Sequence, residues 1–126
     1  MSERPKPKLI YCATPSRMVS STKQIMNFVT AQRDAPFHPL HAFEYSRFEG
    51  GPVGREGTLE FCCRAIQLCD EFWLFGVSAG TLFELDFTVE FNRKNPQLQK
   101  TIRLLHRDFD PDWEEFATGH MDLLRL

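Results

Sequence analysis

An α/β domain with a parallel sheet and helices on both faces is the fold class this chain predicts, and three observations carry the prediction. Short apolar runs, among them Leu9-Ile10-Tyr11-Cys12-Ala13 and Phe72-Trp73-Leu74-Phe75, alternate with longer segments of helical apolar spacing, as βαβ crossovers require. The second run passes through Gly76-Val77-Ser78-Ala79-Gly80 directly into a helical segment, a strand-to-helix turn made of small residues. With 126 residues, 42% of them hydrophobic, the chain can bury one core but is too short for two, so residues 1–126 are expected to form a single domain.

The elements follow in order. Residues 1–7 read as a flexible Pro/Lys-containing leader. Residues 8–13 then form a first strand, closed by Thr14-Pro15-Ser16. Met18, Ile25, Met26, Phe28 and Val29 recur at helical spacing and predict a first helix over 17–33. Residues 37–40 read as a short second strand. The irregular stretch 41–54 is long for a connection in so small a domain and is expected to lid the ligand pocket. Leu59, Cys62, Cys63 and Ile66 share one stripe of a second helix, 55–68, which leads into a third strand at 70–76. The third helix, 79–92, carries Leu82, Phe83, Leu85, Phe87, Val89 and Phe91 nearly all round its surface. Such a helix is either deeply buried or covered by another subunit, and a homo-oligomer through this helix is expected. A fourth strand at 101–105 precedes an acidic, aromatic tail (107–126), read as a short helix docked by Trp113 and Phe116. Strands spaced in this way give a Rossmann-like or flavodoxin-like sheet of order 2-1-3-4, whose topological switch lies between strands one and three.

Composition removes several classes of function. Fifteen Lys and Arg against seventeen Asp and Glu give a net charge of −2, which argues against nucleic acid as a partner. No apolar run approaches the roughly 18 residues of a membrane span, and the first residues lack the apolar core of a secretory signal; a soluble cytoplasmic protein is expected, with no membrane partner. The four cysteines, Cys12, Cys62, Cys63 and Cys69, form no C-x-x-C pair and read as reduced, mostly buried thiols. His38-Pro39-Leu40-His41 has two possible ligands but a proline between them and no third nearby, while His106 and His120 stand alone, so no metal site is expected.

The switch point brings the turn after the first strand beside the turn after the third. Glu84 then lies within about a turn of a helix N-terminus at the carboxyl edge of the sheet, where ligands bind in open α/β folds. A Glu there can be a macrodipole residue and no more, and Ser78, Gly80 and Thr81 can be plain N-cap chemistry.

The phrases Ile10-Tyr11-Cys12-Ala13-Thr14-Pro15, Ile66-Gln67-Leu68-Cys69-Asp70 and Ser78-Ala79-Gly80-Thr81-Leu82-Phe83-Glu84 together resemble the nucleoside 2-deoxyribosyltransferase superfamily. Asp70-Glu71-Phe72-Trp73-Leu74-Phe75-Gly76 looks closest to an uncharacterised branch of it. The resemblance implies that Glu84 is the nucleophile attacking an anomeric carbon and that Tyr11 orients it. It further implies that Ser78, Gly80 and Thr81, with Thr14 in the turn after the first strand, meet sugar hydroxyls or a phosphate, and that Arg17 or Arg55 meets a 5′-phosphate. The expected activity is cleavage or base exchange at the N-glycosidic bond of a nucleoside or nucleotide, with no cofactor. Two departures are visible: Cys62 stands where relatives carry an Asp, and Val77 precedes Ser78 where transferases carry base-reading acids. They leave a second expectation open, a non-catalytic module binding a nucleotide-derived small molecule.

Overall fold

A computed structural model of the chain describes residues 6–117, 119 and 121–125. Residues 1–5 of the expected leader, and His120 in the tail, lie outside the described residues. The sheet has four strands in the order β2-β1-β3-β4. These are β1 (Leu9–Ala13), β2 (Ala35–Phe37), β3 (Glu71–Leu74) and β4 (Thr101–Leu104), and every pairing is parallel. Between and after them run α1 (Thr22–Ala31), α2 (Pro39–Ala42), α3 (Gly54–Leu68), α4 (Ala79–Lys94), α5 (His106–Phe109) and α6 (Trp113–Phe116). A 3-10 turn, Leu123–Arg125, follows.

Period-two alternation along the central strands decides which helix packs where. Tyr11, Ala13, Phe72 and Leu74 point to one face, where Cys62, Ala65 and Ile66 of α3 and Leu82 and Leu85 of α4 cover them. Ile10, Cys12, Trp73 and Phe75 point to the other, against Ile25 and Val29 of α1, with Phe28 and Phe109 closing the edge. Both faces are therefore roofed, and β1 and β3 are buried on both sides, as their unbroken apolar spelling requires.

Three expected elements differ from those observed. The second strand occupies Ala35–Phe37 and not 37–40, because Pro39 starts the short helix α2 at its first position, with His38 as N-cap. Pro36 is tolerated since β2 is an edge strand. The first helix is broken: Ser16–Ser21 is a 3-10 turn with non-helical angles at Met18 (φ −101°, ψ 20°), and regular helix begins only at Thr22. Thr22 donates its hydroxyl back to the Val19 carbonyl at 2.7 Å, a local bond that competes with helix propagation. The third helix is apolar but not wholly covered. Its Leu82, Glu84, Leu85 and Thr88 are buried, while Phe83 remains 49% exposed and Phe87 and Phe91 are half-buried. No helix among the described residues is long and apolar enough to cross a membrane.

The break at Met18 serves the close approach of two turns. A Cβ on Gly76 would lie 2.4 Å from Met18 Sδ and 2.6 Å from Pro15 Cδ, so the turns after β1 and β3 touch only because residue 76 has no side chain. Gly76→Ala is expected to destabilise the chain by about 1–3 kcal/mol through overpacking, read as a lower urea midpoint with an unchanged slope.

Candidate functional site

The two turns form one end of a cleft of about 340 Å³ at the carboxyl edge of the sheet. Thr14, Pro15 and Ser16 line it from the first turn, and Ser78, Ala79, Gly80, Thr81 and Glu84 from the start of α4. Thr58, Leu59 and Cys62, spaced so that they share one side of α3, supply a second wall.

Glu84 is buried, 6% exposed, on the inward side of α4. The Tyr11 hydroxyl donates to its Oε2. The Cys62 thiol is the other polar group beside this carboxyl. Tyr11 itself is fixed between Phe37 and Phe72, with ring centroids at 5.8 and 5.7 Å and near-parallel planes. Burial pushes the Glu84 carboxyl up to about 7, against the pull of Tyr11 and the neighbouring Cys62 thiol, which favour its charged form. The same neighbourhood acts on the thiol: burial and the adjacent Glu84 push Cys62 up to about 12, so it faces the cleft as a neutral group.

The start of α4 is closed by its own hydroxyls. Ser78 Oγ accepts the Thr81 amide at 3.1 Å, and Thr81 Oγ1 accepts the Ser78 amide at 2.8 Å while donating to the Gly76 carbonyl at 2.9 Å. Ser78 and Thr81 thus form a reciprocal capping box, and what α4 offers a ligand is chiefly the amides of Ala79 and Gly80 at its first positions. Thr14 is similarly engaged, its hydroxyl on the Cys12 carbonyl at 3.1 Å.

Of the two arginines, Arg55 lines the cleft and Arg17 does not. Arg55 is paired with Glu49 at 2.6 Å, and both stand at the exposed rim. Arg17 is spent on Asp110, with both terminal nitrogens at 2.8 Å from the carboxylate, one of them also donating to the Val77 carbonyl. Asp110 also accepts the amides of Val77 (2.9 Å) and Asp112 (3.0 Å). Burial alone would raise this carboxyl; the guanidinium and the two amides outweigh it and hold it below the usual carboxylate range.

Sequence reasoning did not assign to the cleft its apolar part, Pro39, Leu40, Phe43 and Phe116, nor Glu49 at its rim; of the two residues expected to dock the tail helix, Trp113 packs on the core while Phe116 is 41% exposed and lines the cleft. Pro39 and Leu40 were read as strand, and Phe43 belongs to the stretch expected to lid the pocket, which does contribute lining residues. Phe43 packs on Phe37, Phe48 and Phe61 with centroids 5.1–6.1 Å apart. All four cysteines are free thiols. Comparison of the chain with protein-family models, curated proteins and solved structures finds no match.

Glu84 keeps its proton to about pH 7 in the folded chain and only to its ordinary value of 4.5 when unfolded. The folded state therefore binds that proton more tightly, so this contribution to stability is complete below pH 4.5 and is lost as pH rises through about 7. Glu84→Gln, which keeps the shape and accepts the same Tyr11 hydroxyl, is expected to match the parent near pH 4.5 and to exceed it by about 3 kcal/mol at pH 8.5. Chemical denaturation at the two pH values measures it, and a difference independent of pH would contradict it.

Proposed function

We propose that this chain cleaves or exchanges the N-glycosidic bond of a nucleoside or nucleoside 5′-monophosphate, with Glu84 as nucleophile. The observation that carries the reading is a buried carboxyl, held by the stacked Tyr11, at the N-terminal part of α4 where two strand-end turns meet over a cleft. A helix N-terminus alone would explain an exposed Glu; it does not explain a buried one with a dedicated hydroxyl donor and a proton affinity near neutrality.

In the first step the Glu84 carboxylate attacks the anomeric carbon and forms an ester bond. The bond from that carbon to the base nitrogen breaks, its electron pair leaving with the base, which takes up a proton from solvent. In the second step water, or the nitrogen of another base, attacks the same carbon and loses its proton to solvent as the carboxylate departs. Between the two, positive charge develops on the sugar ring and is balanced by the carboxylate beside it. Tyr11 acts in both steps by steadying the ionised carboxylate. In this reading the Ala79 and Gly80 amides and the Ser78 hydroxyl, which line the cleft, meet sugar hydroxyls or a phosphate, and Arg55 meets an anionic group that displaces Glu49.

Cys62 favours a second reading, a module that binds a nucleotide-derived molecule without turning it over. The thiol stands neutral beside Glu84, where a second acid would assist departure of the base.

Incubation with nucleosides, 5′-monophosphates and acceptor bases, followed by mass spectrometry, separates the two readings. The expected result is base release or exchange that Glu84→Gln lowers by about 10³-fold or more. Binding without turnover, unchanged in Glu84→Gln, would establish the module instead.

Because only the ionised carboxylate attacks, turnover is expected to rise with pH through about 7. Tyr11→Phe removes a bond that lowers the Glu84 value, so the rising limb is expected to move up by about 1 pH unit, the effect of one charge-assisted hydrogen bond. A limb that stays in place would exclude Tyr11 as the group that sets it.

A further inference from the structure

We infer that the Phe116 ring is the surface on which the planar ring of the ligand stacks, and that Arg17 and Asp110 are positioning residues that hold it there. The inference rests on the reading of the cleft as a nucleoside site and assigns the part of it that meets the base. Phe116 is 41% exposed and lines the cleft. The Arg17 guanidinium lies 3.9 Å from its ring centroid and covers one face. The exposed part of the ring borders the cleft.

The cover is itself immobile. Two 2.8 Å bonds lock the guanidinium onto Asp110, whose side chain is fully buried, and the Val77 carbonyl takes a further bond. Asp110 in turn accepts the Val77 amide, so the same carboxylate that orients Arg17 fixes the turn leading into α4. The residue after Phe116, Ala117, is buried in the core beneath α3 and α4. The ring is thereby held between a cation pinned to the turn and a backbone pinned to the core. An aromatic face fixed in advance stacks on any base, because every base has a π-face and no ordering remains to be done on binding. Phe116 is therefore expected to supply affinity for a planar ring without selecting among bases.

The test is a protein-observed NMR titration with free adenine, with ribose 5-phosphate as the ringless control. Adenine is expected to shift the Phe116 and Ala117 amides and the Arg17 side-chain signals, which ribose 5-phosphate leaves in place. Phe116→Ala should weaken adenine by about tenfold, and Phe116→Tyr should restore it. Arg17→Lys keeps the charge but loses the flat, two-pronged contact, and should weaken adenine to a similar degree without adding to the Phe116→Ala effect. Adenine that fails to shift these residues, affinity indifferent to Phe116→Ala, or strictly additive losses in the double variant would each overturn the inference. Base release from nucleosides is a separate measurement, so loss of the glycosidase reading and loss of this inference are distinguishable.

Discussion

A carboxyl group placed inside a protein is the constraint around which this structure is arranged. Glu84 sits one turn into α4 on the helix side that packs against the sheet, where Leu82 and Leu85 make the ordinary contacts of a core. Its neighbours must then supply what water would have: the Tyr11 hydroxyl on one oxygen and a neutral thiol nearby. Tyr11 can supply its share only because Phe37 and Phe72 hold the ring in the plane that aims the hydroxyl at α4. The aromatic stack at the sheet and the chemistry at its edge are therefore one arrangement. The balance between burial and hydrogen bonding leaves the carboxyl near neutrality, where a small change in surroundings moves it between acid and base.

Asp110 is the opposite case. It too is buried, but a bidentate arginine and two backbone amides compensate it, and it stays charged. The contrast follows from partners alone: a carboxylate with a cation and two amide donors behaves as structural cement, one with a hydroxyl and a thiol behaves as a poised group. Both touch the strand-to-helix turn, Asp110 through the Val77 backbone and Glu84 through the helix that the turn begins. The poised carboxyl is thus mounted on a rigid turn.

Much of this was legible in the sequence. Sheet order and parallel pairing followed from apolar runs alternating with helical periods, and that topology alone brings Tyr11 and Glu84 to the same strand ends. Ser78 and Thr81 were legible as cap residues, which is how both hydroxyls are used. The second strand, expected at 37–40, ends at Phe37 because Pro39 begins α2. Arg17 was read as a candidate phosphate ligand; its partner lies 93 residues further on, a separation that no local pattern encodes. The apolar wall was missed for the same reason. Phe43 and Phe116 lie far apart in the chain and come together only at the cleft.

Asp110 also carries a consequence for the order in which the site is assembled. A ribosome delivers all four strands, Arg17, Val77 and Glu84 before it delivers Asp110 and Phe116. The Arg17 guanidinium and the Val77 amide therefore await an acceptor that comes after every strand in the chain. The pairing of Tyr11 with Glu84 thus draws only on chain that precedes β4, whereas the aromatic wall of the cleft depends on a side chain that follows the whole sheet.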